Sequence, residues 1–337
     1  MTSTQRRLLE SHGRELRRLA AAKPTFGFDQ DETNPYAAGG ILEPGQRNTD
    51  QPFVFHVEIA MQLASSFRFD SPMLRSDSPL SDDQIRRVAP SIFADSKHRS
   101  RSERYTYIPT IDVLTGLRNE GFQPFMVCQT RVGDQDKRGH TKHMIRLRHA
   151  EEIGGDEAIE IILLNSHDGT SSYQMLAGVL RFVCQNGMVA GENVADIRVP
   201  HKGNIVQNVI NGAFDVLDGF DLIREQKDAM RGVTLNRNEQ HAFARSALTL
   251  RYDPTDADAP APITESQLLN VRRFEDRRDD LWTVFNRVQE NMTKGGLHGR
   301  SRTGRSMSTR AVTGIDQNVK LNRALWMLAD AMRQMKA

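Results

Sequence analysis

The sequence predicts an α+β fold, with an antiparallel β-rich middle region followed by a helical C-terminal half. Three observations predict it. Between residues 122 and 189 apolar residues alternate with polar ones or run on in short stretches, as strands do. From about Gly203 onward they recur every three or four positions, the spacing of a helix face. The two patterns come in blocks, strands first and then a run of helices, which gives an α+β reading.

Taken in order, residues 4–22 set Arg6, Arg7, Arg14, Arg17 and Arg18 among Leu8, Leu9, Leu16 and Leu19, as in a short basic helix. Residues 23–51 are rich in Gly, Pro and Asn and read as a loop, so 1–51 forms a basic N-terminal arm. The β-rich region spans 52–203 and opens with a strand over 52–61. Residues 66–104 are polar, with Ser71-Pro72 and Ser78-Pro79, and read as a long irregular insertion. Two strands, 122–132 and 143–149, flank the polar loop from Gly133 to Gly139. In the second, Ile145 and Leu147 point one way and Met144, Arg146 and Arg148 the other, which suits a half-buried antiparallel strand. Residues 158–164 are apolar except for Glu160, hence more deeply buried. Residues 173–189 fit strand or helix, and Val179, Phe182 and Val183 favour strand.

Residues 204–337 read as helices packed on the sheet, making 52–337 one domain. Ile205, Val209, Ala213, Val216, Leu217 and Phe220 share one face. Asn236 with Glu239, and Thr264 with Gln267, have the spacing of capping boxes. Around Leu281 an apolar stripe of Leu281, Val284, Phe285, Val288 and Met292 opposes a polar stripe of Glu275, Asp279, Thr283, Asn286 and Glu290. A final helix after Asp316 repeats Leu321, Leu325, Leu328, Met332 and Met335. Its stripe faces the domain core or, with Trp326 lying beyond it, a homo-oligomer interface; the core has the stronger claim, because such stripes routinely face a core.

Composition limits the function classes. The chain has 337 residues, with 45 Lys+Arg against 43 Asp+Glu and a formal charge of +2. That excludes a uniformly basic coat, so an anion site must be local. No run of eighteen apolar residues suggests a membrane span, and the N-terminus lacks the apolar core of a secretory signal. Two cysteines, Cys128 and Cys184, exclude a disulfide framework and suit a reducing cytoplasm. No cofactor motif is found, and no metal-ligand spacing.

Beyond the basic N-terminal arm, two segments concentrate positive charge. Residues 294–310 read KGGLHGRSRTGRSMSTR, holding Lys294, Arg300, Arg302, Arg305 and Arg310 with no acid. Guanidinium forks on a Gly- and Ser-rich backbone suit phosphate oxygens, although a solvated linker has the same composition. The 131–148 hairpin adds Arg131, Lys137, Arg138, Lys142, Arg146 and Arg148, without aromatic residues among them for base stacking. The loop Asn165-Ser166-His167-Asp168-Gly169-Thr170 follows a buried strand. Its His-Asp pair suits general acid–base or metal chemistry, yet Asn, Ser, Asp and Gly are also what a tight turn demands. Cys184 with His201 has the residue types of a nucleophile and base, but its apolar surroundings favour a buried thiol.

Three stretches carry a resemblance. They are Leu163-Leu164-Asn165-Ser166-His167-Asp168-Gly169-Thr170, Arg181-Phe182-Val183-Cys184-Gln185-Asn186-Gly187-Met188, and Leu281-Trp282-Thr283-Val284-Phe285-Asn286-Arg287-Val288-Gln289-Glu290-Asn291. With Tyr107-Ile108-Pro109-Thr110 ahead of them and His201-Lys202-Gly203 between, their order resembles the "domain of unknown function 932" family, closest to its YubP-like branch from plasmids, phages and integrated elements. The resemblance runs from about Tyr105 to the C-terminus. It supplies no catalytic residues; it marks Asn165, His167, Asp168, Arg181, Asn186, Asn286 and Glu290 as motif positions. Its mobile-element setting implies a role in DNA metabolism.

The leading expectation is therefore a cytoplasmic nucleic-acid-binding protein, acting on single-stranded DNA in annealing or protection, through Arg138, Lys142, Arg146, Arg148, Lys294, Arg300, Arg302, Arg305 and Arg310. One alternative is an anti-defence factor that binds a host protein, for which the acidic stretch 253–280 is available. Another is a metal-dependent nuclease or phosphohydrolase built from His167, Asp168 and Glu290.

Overall fold

The computed structural model describes residues 73–102, 105, 107–150, 157–182, 186–190, 196–199, 205–252 and 260–336. The expected N-terminal helix, the strand at 52–61, and Cys184 with His201 lie outside them. All the described residues belong to one compact unit, Pro52–Ala337. The fold is α+β. An antiparallel sheet runs β1 (Met73–Arg75), β2 (Phe122–Gln129), β3 (His143–His149), β4 (Glu157–Asn165), β5 (Tyr173–Arg181) and β6 (Asn186–Val189) in neighbour order. The far edge of β5 is shared: β6 pairs with Gly178–Arg181 and β7 (Asp196–Val199) with Tyr173–Leu176. The ambiguous stretch 173–189 thus contains two strands.

Within the polar insertion the described residues are ordered. β1 pairs with β2, and α1 (Asp82–Val88) begins with a Ser81–Gln84 capping box and buries Ile85. A 3-10 turn, Pro90–Phe93, then buries Ser91 and Ile92. The reading of 66–104 as irregular is corrected for these residues. Its polar composition belongs to caps and exposed helix faces around a few buried anchors. Pro124 sits inside β2, where the missing N–H would break a ladder; the register shifts between Pro124 and Met126 and absorbs it as a bulge.

One face of the sheet carries Val127, Ile145, Leu147, Ile159, Ile161, Leu163, Met175 and Val179. It joins the main core with α2 (Thr110–Asn119) and α4 (Ile205–Asp218). The other face carries Met126, Cys128, Met144, Ile162, Leu164, Leu176 and Val189, met by Ile315 and Val319 of α9 (Ile315–Lys336). Both faces of β3 are therefore buried, and the half-solvated strand expected from its alternation is corrected. Burial on one face pushes the Cys128 thiol up to about 12, so it stays a protonated packing group.

Between the sheet and α9 come α5 (Phe220–Gly232), α6 (Arg237–Thr249), a one-turn α7 (Glu265–Leu268) and α8 (Leu281–Lys294); a single turn over Gln135–Arg138, α3, sits earlier in the β2–β3 connection. Both expected capping boxes form, Asn236 with Glu239 and Thr264 with Gln267. Asp280 caps α8 by accepting from the Thr283 N–H at 2.9 Å. α8 is buried at every position from Leu281 to Thr293. The polar stripe read from the sequence is therefore no solvent face: Glu275 and Asp279 precede the helix, while Thr283, Asn286 and Glu290 are buried. Trp326 is also buried, donating from Nε1 to Gln226 at 3.1 Å, so α9 faces the core instead of offering this ring outward.

Candidate functional site

The 131–148 basic group separates on folding. Antiparallel pairing sets Arg146 opposite Ile162, two residues along β4 from Glu160 on the same face. Arg146 Nη1 and Arg148 Nε each donate to Glu160 at 2.9 Å. Relative exposure is 2% for Arg146 and 1% for Arg148 and Glu160, which leaves no room for a phosphate. Arg148 also lies 4.1 Å over the Phe125 ring, and the Arg146 guanidinium rests on Gly187, where a Cβ would come within 2.5 Å of it. Gly187 is thus needed for close approach, whatever its backbone angles. Lys142 pairs with Asp316 at 2.7 Å. The assignment of Arg146, Arg148 and Lys142 as nucleic-acid contacts is corrected, because carboxylates brought in by tertiary packing take them up. Arg138 stays exposed, at the end of the one-turn helix, with its carbonyl accepting from Gln129 at 2.6 Å.

The 294–310 segment has the opposite outcome. Instead of a loose loop it forms a β-hairpin of β8 (His298–Arg300) and β9 (Ser306–Ser308). Its tip closes through Ser301 N–H to Arg305 O and Gly304 N–H to Ser301 O, both at 2.9 Å. Gly304 takes φ +77, the left-handed position such a turn requires of glycine. The hairpin is seated at its base: Arg300 N–H donates to Pro262 O at 3.1 Å and Gln267 Nε2 to His298 O at 2.6 Å. Arg251 Nη2 holds the Arg310 carbonyl at 2.6 Å. Arg300, Arg302, Arg305 and Arg310 are all exposed, and no carboxylate among the described residues pairs with Arg300, Arg305 or Arg310. Lys294 belongs to α8 and pairs with Glu290 at 2.9 Å.

The His167 loop closes one end of the sheet. Asp168 Oδ1 accepts from Thr170 N–H at 3.0 Å and from its hydroxyl at 2.6 Å, with Gly169 at φ +77, so this segment is a tight turn. His167 instead points inward, to a buried network whose members share no spacing in the sequence. Thr110 Oγ1, at the first position of α2, has four polar neighbours: His143 Nε2 and Tyr173 OH at 3.0 Å, Asn165 Nδ2 at 3.0 Å, and His167 Nε2 at 3.3 Å. Ser91 Oγ touches Gln129 Oε1 at 2.8 Å and His143 Nδ1 at 2.9 Å.

Donor bookkeeping orients this network. An amide oxygen only accepts, so the Ser91 hydroxyl hydrogen goes to Gln129. Ser91 then accepts from His143 Nδ1–H, as does the Thr141 carbonyl at 3.2 Å. The His143 Nε2 lone pair is left to accept from the Thr110 hydroxyl. Thr110 in turn accepts from Asn165, and its last lone pair is contested by Tyr173 and His167. Burial, with a further contribution from His167, pushes the His143 imidazole down to about 3.

Hydroxyl, imidazole and orienting group thus stand in the order of a nucleophile, base and orienter. Thr110 is fully buried, however, and a base with so low a pKa accepts a proton poorly near neutrality. The network serves to lock α2, the 3-10 turn and four strand ends together. His143 should keep a neutral, Nδ1-protonated ¹⁵N signature in NMR spectra down to about pH 5, where an imidazole of ordinary pKa is charged. The sign follows from linkage: the unfolded chain protonates His143 below about pH 6.5 and the native state does not. Stability from this residue is complete above about pH 6.5 and falls by about 1.4 kcal/mol per pH unit towards about pH 3. A titration of His143 near its ordinary pKa would contradict this account.

Three of the remaining motif positions, Arg181, Asn286 and Glu290, are engaged by internal partners. Arg181 pairs with buried Asp276. Asn286 donates back to the Trp282 carbonyl at 2.7 Å. The side chain of Asn186 lies outside the described residues. Burial would raise Glu290, but hydrogen bonds from Arg273, at 2.5 and 2.7 Å, and from Lys294 outweigh it and hold the carboxylate below its ordinary range. Among the described residues no group of three His, Cys, Asp or Glu side chains is placed to hold a metal, so His167, Asp168 and Glu290 do not assemble into the metal site considered from sequence.

A family described as "domain of unknown function (DUF932)" matches residues 97–326. Two proteins of Escherichia coli (strain K12), UPF0380 protein YafZ and UPF0380 protein YfjQ, are each 54% identical over 271 residues, covering 80% of this chain and 97% of the relative. No solved structure matches the chain.

Proposed function

We propose, for a chain that belongs to the DUF932 family, a nucleic-acid-binding function in the cytoplasm, in which the β8–β9 hairpin contacts the phosphates of single-stranded DNA. One observation carries this reading. The hairpin presents Arg300, Arg302, Arg305 and Arg310 to solvent on a backbone fixed at its base, and no acid among the described residues pairs with Arg300, Arg305 or Arg310. Fixing the backbone lowers the ordering cost of placing several guanidiniums along a phosphate chain. The near-zero net charge agrees with a local contact in preference to a coat. The nuclease alternative lacks a metal set among the described residues. A family setting among mobile elements, taken from the resemblance, would give such a protein incoming or replicating strands to protect or anneal.

The test is fluorescence anisotropy of a labelled single strand, with salt varied between about 50 and 200 mM. The logarithm of the affinity should fall linearly with the logarithm of salt. No binding of single- or double-stranded DNA at micromolar protein in low salt would overturn the reading. No helix among the described residues is long and apolar enough to cross a membrane.

A further inference from the structure

Residues 262–278 form a strap that leads from the hairpin to an exposed aromatic ring. It is tied to the hairpin and its base at three points: Pro262 O to Arg300 N–H, Gln267 to His298 O, and Arg272 Nη2 to Gly295 O at 2.8 Å. Beyond Arg272 the strap is anchored hard. Arg273 donates to both carboxylate oxygens of Glu290 and, at 3.1 Å, to Asp276, which is itself buried and also paired with Arg181. Between these anchors, on the 3-10 turn Phe274–Arg277, Phe274 stands 75% exposed, the most exposed of the large hydrophobic residues described.

The surroundings of the ring favour one class of occupant. Arg277 holds its guanidinium 5.0 Å from the ring centroid and has no ion pair among the described residues. Asp276, Asp279 and Asp280 are each taken up by arginines, at Arg181 and Arg273, Arg287, and Arg278 respectively. Glu275 is the one carboxylate of the turn without a partner among the described residues. A rigid ring beside a guanidinium, tied by one strap to an arginine hairpin, matches the stacking platform and basic track of single-strand binders.

We infer that Phe274 is a base-stacking residue, taking an unpaired nucleobase of the strand whose phosphates the hairpin holds. The inference rests on the proposed nucleic-acid function. It adds a preference for unpaired over duplex strands, because the bases of a duplex are already stacked on each other.

Two measurements on the full chain test it. In Phe274→Trp the new indole should be quenched by an oligothymidine of about 20 nucleotides and not by a duplex of equal length. The native Trp282 and Trp326 are buried and give a constant background. In Phe274→Leu, which keeps an apolar side chain and removes the π face, single-strand affinity should fall roughly ten-fold while the salt slope and duplex affinity stay unchanged. If the introduced indole stays unquenched in a Phe274→Trp protein that anisotropy shows bound to the strand, the stacking role is overturned and the hairpin reading stands. A Phe274→Leu variant of wild-type affinity would have the same consequence. Absence of any binding by the wild-type chain would overturn both.

Discussion

Replacing Glu160 with Gln should destabilise the fold by about 3–5 kcal/mol, seen as a lower urea midpoint with an unchanged m-value. The carboxylate is the acidic partner of both Arg146 and Arg148, and all three side chains are at most 2% exposed. Glutamine keeps the shape and one acceptor but removes the charge. Two guanidiniums would then be buried without an anion. Their mutual repulsion in a low-dielectric interior adds to the weakened hydrogen bonds. A second arm separates charge from shape. Replacing Arg146, Glu160 and Arg148 together by Met, Leu and Met removes every charge of the cluster and should recover most of the loss, since well-packed apolar residues often match a buried ion cluster in stability. A Glu160→Gln variant within about 1 kcal/mol of wild type would show that water reaches these guanidiniums, and would reopen them as anion contacts.

The triple variant Arg300→Ala, Arg302→Ala and Arg305→Ala should flatten the salt dependence of single-strand binding by about 2–3 units of log–log slope, roughly one for each phosphate that the variant can no longer neutralise. Fold stability should move by less than about 0.5 kcal/mol, because the three side chains are exposed and the hairpin is held by backbone bonds at its tip and base. The same change at Arg146 and Arg148 should do the reverse, lowering stability first and affecting binding only through unfolding. The pair of experiments therefore distinguishes the two basic segments, which composition alone treats as equivalent. If the triple variant keeps the wild-type slope, the hairpin does not contact phosphate.

How much is legible in the sequence depends on how local the cause is. The capping boxes at Asn236 and Thr264 are satisfied within four residues, so their spacing is enough to find them. The turn at Asp168-Gly169 is readable for the same reason. β3 and β4 are readable as strands, but not their environment: alternation on β3 suggests one wet face, and a second layer from α9 covers it in part. The polar residues of α8 look solvated in sequence because a stripe says which side chains share a face, and not what lies against it. The Asn286 amide donates back into its own helix, and Glu290 is met by Arg273 from the preceding strap and by Lys294 one turn on. Glu160 carries a stronger signal than its neighbours: it interrupts an apolar strand, and a buried carboxylate requires a cation. The register that selects Arg146 and Arg148 as those cations is a property of the sheet.

The Thr110 network is out of reach altogether. Ser91, Thr110, Gln129, His143, Asn165, His167 and Tyr173 come from a 3-10 turn, a helix start, strand ends and the β4–β5 loop, with no shared spacing to mark them. Only Asn165, His167 and Thr110 fall within stretches that carry a motif, and nothing in those motifs joins them to the other four.

By itself, then, the sequence determined the α+β class, the order of strands before helices, the caps and tight turns, and the presence of separate basic segments in a chain of balanced charge. These follow from local geometry and periodicity, which the chain carries with it before it folds. The tertiary structure decided which of those charges face solvent. A guanidinium remains available to a phosphate only if packing brings no carboxylate to it. For Arg146 and Arg148 the sheet register brings Glu160, and for Lys142 the start of α9 brings Asp316. For Arg300 and Arg305 the hairpin brings none among the described residues.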